Sequence, residues 1–151
     1  MTYFSFILVY IKKEFLFNKL RYAFIGSLCC SLTLAHNHHI ISIKDAGVTV
    51  KACSHITGGG FYENIPRMLP EGMHAVVRKD SYEVPAIFKL LQKTGDIAEE
   101  MMYNTYNMGL GMIVAVSPDK VDSAMEAIKS AGDTPYVVGE IKAGEKGVTL
   151  C

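Results

Sequence analysis

His55-Ile56-Thr57-Gly58-Gly59-Gly60, then Asn64 and Arg67, then Asn107-Met108-Gly109-Leu110-Gly111, gather the groups of this sequence best suited to chemistry. The imidazole of His55 can hydrogen-bond or move a proton; ordering a strand end would use it equally well. Thr57 and Asn64 suit substrate positioning better than covalent chemistry, because no neighbouring base in the sequence activates either. The Arg67 guanidinium fits a phosphate, or else a solvent-facing or helix-capping role. Three consecutive glycines surrender backbone entropy and weaken any helix or strand they enter. They are explained by a ligand that must approach the backbone, or by a very tight strand-to-helix turn.

Several familiar chemistries are excluded. Gly58–Gly60 lacks the following Gly-Lys-Ser/Thr of a mononucleotide P-loop. Gly109 and Gly111 do not complete a dinucleotide fingerprint, since Met112-Ile113-Val114 stands where the third glycine belongs. His36, His38 and His39 have no carboxylate or cysteine at a recognised ligand spacing, so no metal site is assigned. Cys29, Cys30, Cys53 and Cys151 form neither a zinc knuckle nor a disulfide framework, which reads as reduced thiols in the cytoplasm. Cys53 shares a strand face with His55 and is expected to be a buried structural thiol, as nothing in the local sequence activates it as a nucleophile. Glu99 and Glu100 are adjacent, hence no matched pair on one helix face, and the methionines at 101, 102, 108 and 112 read as core filler.

The elements that must position these groups alternate between helix and strand. Ile40–Ala46 ends a helix at Gly47, and Val48–Ser54 is a strand leading into His55. Phe61–Leu69 has helical spacing, so the glycines fall between a strand and a helix start, where free backbone N–H groups can receive an anion. Met73–Arg78 is a strand, and Pro85–Thr94 a helix begun by Pro85 and stopped by Gly95. Ile97–Tyr106 is a helix capped by Asp96, and Asn107–Gly111 turns into the strand Met112–Ser117. Pro118–Ala131 carries the stripe Val121, Ala124, Met125 and Ile128. Tyr136–Ile141 and Val148–Leu150 are strands joined by the turn Ala143–Gly147. The class is mixed α/β.

At 151 residues the chain has room for one core. Formal net charge is zero, with no basic stripe for nucleic acid. Residues 1–40 differ in composition from the rest, being aromatic-rich and basic, and read as a divergent extension ahead of a domain spanning 41–151. A helical extension, a strand pair packed on a partner, and sequence foreign to the domain all remain open for it. Tyr22–Ile43 carries no Lys, Arg, Asp or Glu, but its convincingly apolar part, Tyr22–Ala35, is too short for an ordinary spanning helix, so no membrane association is expected.

From about Ile43 onward the chain resembles the C-terminal domain of phosphoribosylformylglycinamidine cyclo-ligase, or AIR synthetase, of purine biosynthesis. The resemblance rests on Ser54-His55-Ile56-Thr57-Gly58-Gly59-Gly60 with Glu63-Asn64-Ile65-Pro66-Arg67, then Val84-Pro85-Ala86-Ile87-Phe88, Tyr106-Asn107-Met108-Gly109-Leu110-Gly111-Met112, and Val137-Val138-Gly139-Glu140-Ile141. It implies an AIR synthetase C-terminal domain-like α/β (mixed α+β) fold, packed beside an N-terminal domain that supplies most of an ATP and Mg²⁺ site. It implies an ATP-dependent ligase that closes a small nucleotide substrate, formylglycinamidine ribonucleotide, to aminoimidazole ribonucleotide. His55 and Thr57 would then be catalytic, and Gly58, Gly59, Gly60, Asn64, Arg67, Asn107 and Gly109 would bind substrate.

No counterpart of that N-terminal half is found in the sequence, so the chain is expected to be incomplete as a catalyst by itself, since phosphoryl transfer needs metal and polyphosphate held in line. A separately encoded N-terminal half would complete it. A noncatalytic remnant or small-ligand-binding module is the competing expectation. Either way, apolar surface left without its neighbour favours self-association, for instance as a homodimer.

Overall fold

The structure, a computed structural model, describes the backbone of residues 6–12 and all of residues 38–151. A strand β1 (Phe6–Lys12) and a helix α1 (38–45) precede β2 (Ala52–His55), α2 (Gly60–Arg67), β3 (Met73–Val77), α3 (Ala86–Gly95) and α4 (Glu99–Thr105). Then come β4 (Met112–Val116), α5 (Val121–Ser130), β5 (Thr134–Ala143) and β6 (Gly147–Leu150). The strands form one six-stranded sheet in the order β2-β4-β1-β5-β3-β6, antiparallel except for the β3–β6 pair.

Apolar periodicity explains the layers. All five residues of β4 are buried, as a strand covered on both faces requires. Ile113 and Ala115 join Phe61, Ile65, Met102 and Tyr103 under α2 and α4. Met112, Val114 and Val116 join Ile43, Val121, Ala124 and Ile128 under α1 and α5. A buried polar contact, His39 Nε2 to Asp133 Oδ2 at 2.5 Å, fastens α1 to the turn between α5 and β5.

Most expected elements are present, with shifted ends. β2 begins only at Ala52, and Val48 ahead of it is buried in the layer under α1 and α5. α3 runs through Gly95 and is ended by Asp96 in the left-handed conformation, φ 49°, so Asp96 terminates one helix instead of capping the next. α4 accordingly begins at Glu99 after Ala98. The 118–131 segment opens as a 3-10 turn, Pro118–Lys120, before α5, and Met125 is only half-buried in the stripe. The turn after β5 does not make a hairpin. It crosses the end of β3, where His74 Nδ1 lies 2.7 Å from Glu145 O and Gly144 N–H donates to Gly72 O, and so places β6 beside β3.

Cys53 is exposed, not buried, since β2 is the edge strand; Met101 is likewise 53% exposed while Met102, Met108 and Met112 are core. No described helix is long and apolar enough to cross a membrane, and Tyr22–Ala35 lies outside the described residues. α3 buries none of its residues, and Ile87, Leu90 and Leu91 are exposed, as is Met101 of α4.

α4 is held from two sides. The Lys79 ammonium donates to Glu99 at 3.0 Å, which raises its pKa, and lies 6.0 Å from the Tyr103 ring centroid. Burial raises the Tyr103 phenol above its ordinary 10.0, against a hydrogen bond with Tyr82 that lowers it. On its other side α4 meets α2 so closely that a Cβ on Gly60 would overlap the Tyr103 carbonyl oxygen. Gly60 also has φ 52°. Gly60→Ala is therefore expected to destabilise the fold by about 3 kcal/mol or more, combining overpacking with a strained φ; urea denaturation measures it. Both raised groups contribute stability that is complete below their unfolded pKa and lost as pH rises through the folded value. Unfolding midpoints should fall between pH 9 and 11, about the 10.0 and 10.5 of the free groups, and fall less in Tyr103→Phe.

Candidate functional site

β2 and β4 are antiparallel with His55 opposite Met112, so the chain leaving β2 and the chain entering β4 meet at one end of the sheet. The Ile56 N–H donates to Gly111 O at 2.9 Å and fixes the two loops side by side. The segments 55–60 and 107–111, far apart in sequence, thus lie side by side at this end of the sheet.

Asn64 shapes the glycine loop. Its side chain is buried, and its Nδ2 donates to Gly60 O at 2.7 Å, Gly58 O at 3.2 Å and Thr57 O at 3.4 Å. Its own carbonyl accepts from the Ser54 hydroxyl at 2.9 Å, tying α2 back to β2. In a planar trans peptide the C=O and N–H point in opposite directions. Drawing the Thr57 and Gly58 carbonyls toward Asn64 therefore turns the N–H groups of Gly58 and Gly59 away from it. Neither N–H meets a backbone carbonyl among the described residues, and no side chain caps the N-terminus of α2. Successive outward N–H groups at a helix start form an anion-accepting concavity.

The three glycines differ in what the fold asks of them. Gly60 is required by α4, and Gly59 sits at φ 91° beside the Glu63 side chain. Gly58 has no left-handed φ, and a Cβ there would meet nothing within 4 Å. Packing and dihedral strain leave its side chain unconstrained.

In the second loop Asn107 Oδ1 accepts the Gly109 N–H at 3.0 Å, and Leu110 N–H donates to Asn107 O at 2.7 Å. This Asx turn carries Met108 through φ 50° with its side chain buried. A Cβ on Gly109 would run into the Pro85 ring, so Gly109 and Asn107 shape the loop and seat it against the segment before α3.

His55 is half-buried and Thr57 exposed; opposite Met112, His55 lies on the sheet face of α1 and α5, whereas its neighbour Ser54 turns to α2. Arg67 stands apart. It lies seven residues beyond Gly60, roughly 10 Å along α2, where it donates to Glu63 at 3.1 Å and to Asn64 Oδ1 at 3.3 Å. Sequence reasoning missed Ser54, whose buried hydroxyl anchors Asn64, and Tyr103, whose backbone limits Gly60; only the polar residue next to His55 on an apolar strand hinted at the first. Among the described residues no three His, Cys, Asp or Glu side chains gather as a metal site. Over the opposite sheet face, His38, Ser42, Asp45 and Glu126 line an open groove between α1 and α5, remote from both loops.

The comparisons with known proteins concern the chain as a whole. It matches phosphoribosylformylglycinamidine cyclo-ligase of Lachnospira eligens with 70% identity over 109 residues, 72% of this chain and 32% of that protein. The enzyme of the same name from Agathobacter rectalis is 73% identical over 109 residues, again covering 72% and 32%. That of Lachnoclostridium phytofermentans is 56% identical over 127 residues, 84% of this chain and 37% of the relative. The chain thus spans about a third of the length of these relatives. Among solved structures, the hydrogenase maturation protein HypE of E. coli superposes with a TM-score of 0.61 at 18% identity, covering 99% of this chain and 46% of HypE. A family model described as AIR synthase related protein, C-terminal domain, matches residues 33–151, and the chain belongs to that family.

Proposed function

We propose that this chain provides the C-terminal half of an ATP-dependent cyclo-ligase site in purine biosynthesis, acting in the cytoplasm to close formylglycinamidine ribonucleotide to aminoimidazole ribonucleotide. The observation that carries the reading is the pair of outward N–H groups at Gly58 and Gly59, turned by Asn64 toward an uncapped helix start. They suit a phosphate oxygen of a nucleotide. The high identity to relatives named as this enzyme supports the choice of substrate.

The described residues fit an anion and do not fit a metal. ATP with Mg²⁺ would supply the phosphoryl group that activates the formyl oxygen and that leaves with that oxygen as phosphate on ring closure, and the metal ligands would lie in the part of the relatives that this chain does not span. What this chain's residues do is narrower. Gly58 and Gly59 hold the substrate phosphate, and Asn64 with Asn107 and Gly109 keeps the two loops in position. His55, at the end of β2, takes the proton released when the internal nitrogen attacks, and Thr57 hydrogen-bonds the substrate. Arg67 acts on the site through Asn64 and Glu63. Residues 41–151 carry all of these groups, and the divergent segment 1–40 contributes the strand β1 to their sheet.

The partner is a separately encoded polypeptide corresponding to the rest of the relatives, docking on the exposed face of α3; without it, a second copy covers the same face. Light scattering should then give a dimer mass for the chain alone and a monomer for Leu90→Glu; a wild-type monomer counts against the docking face.

Calorimetry of formylglycinamidine ribonucleotide, with and without Mg·ATP, tests the site. Binding should weaken at least tenfold in Gly58→Val with the unfolding midpoint unchanged. In Asn64→Ala it should weaken together with a stability loss of about 1–3 kcal/mol, as buried carbonyls lose their donor. No heat with either ligand from folded protein would leave a noncatalytic module as the better account.

A further inference from the structure

β4 and β5 have no direct pairing; β1 lies between them and is antiparallel to both, from Ile7 opposite Val116 to Ile11 opposite Met112 on one side and from Phe6 opposite Ile141 to Lys12 opposite Thr134 on the other. Without β1 the sheet is two pieces, β2-β4 and β5-β3-β6, with unsatisfied backbone groups along two facing edges. A strand in that position crosses both apolar layers, and Phe6-Ile7-Leu8-Val9-Tyr10-Ile11 is the uninterrupted apolar run it requires. Yet β1 falls outside residues 33–151, which the family model matches. The superposition on HypE covers 99% of this chain, a span that takes in β1, so the central strand position belongs to the fold even though the sequence filling it lies outside the match.

We propose that the gap between β4 and β5 is a strand-acceptor site, and that residues 6–12 of this chain occupy it as a replaceable guest by β-strand addition. Recognition there is mainly main-chain hydrogen bonding, antiparallel on both sides, with apolar side chains as the remaining demand; many extended apolar heptapeptides meet these conditions. The bulge between Leu8 and Val9 on the β5 side shows that the guest need not match the register of both hosts perfectly. Because 25 residues separate β1 from α1, the guest is a separate strand-forming segment joined to the domain by its own connection. This inference does not depend on the ligand assigned to the glycine loops.

The test uses the full chain with Tyr10→Pro, which removes a backbone donor in the middle of the guest away from the bulge. Amide hydrogen exchange is read at Ile113–Val116 of β4 and Val137–Ile141 of β5. Protection should fall at least 100-fold in both strands together and return on adding a synthetic peptide of residues 4–14, but not the same peptide carrying proline at position 10. Should the variant fail to fold alone, the peptides are supplied during dilution from urea and the same amides are read. Retention of protection in the variant without peptide, or equal recovery with both peptides, would overturn the proposal.

Discussion

β4 can be stable only if it is covered on every side. Its five side chains alternate between two apolar layers, and burying Ile113, Val114 and Val116 is worth about 1.5–3 kcal/mol each. That gain needs α2 and α4 over one face and α1 and α5 over the other. It also needs a strand on each edge, since unpaired backbone beside such a strand would offset it. β2 takes one edge and β1 the other. The pairing with β2 brings the glycine loop beside the Asn107–Gly111 loop, so the position of the candidate site follows from the burial of this strand.

Within the site, one amide group converts packing into electrostatics. A buried Asn must satisfy its hydrogen bonds or destabilise the fold, and Asn64 does so by taking carbonyls of the adjacent loop. The peptide dipoles are thereby oriented, with positive ends toward solvent at the start of α2. No charged side chain is needed for this, which is why the site carries no signature in the net charge or in any cluster of basic residues. Arg67 has the chemistry for a phosphate but is occupied by Glu63 and Asn64 along the helix.

Much of the backbone of the two glycine loops was legible because glycine is so unfavourable where backbone freedom is not needed. Gly59, Gly60 and Gly109 adopt positive φ, and the strand-to-helix setting of the triplet follows from hydrophobic periodicity alone. What could not be read was which glycine answers to the fold and which does not, because the neighbour that restricts Gly60 is a carbonyl more than 40 residues away in α4. The same distance in sequence hid the β3–β6 pairing and the exposure of Cys53: a strand pattern gives the faces of a strand, not its place in the sheet. Asp96 shows the local limit. A residue suited to capping the next helix instead closed the previous one in the left-handed conformation, a choice the Gly95-Asp96 pair leaves open.

The two ends of the chain contrast in how much sequence they demand. At the glycine loops a single added methyl group at position 60 meets a carbonyl oxygen, and substituting Asn64 would release several peptide groups at once. In the gap between β4 and β5 the hosts ask for extended backbone and apolar bulk, conditions that unrelated sequences satisfy. A domain built this way can take a new central strand without disturbing its site, because β1 pairs with Met112 and Thr134 at its C-terminal end but carries none of the bonds that orient the glycine loop. The tolerance of the sheet interior and the strictness of the loop thus have one origin. Main-chain hydrogen bonds along a strand do not distinguish side chains, whereas a turn that must present its own N–H groups constrains every atom around it.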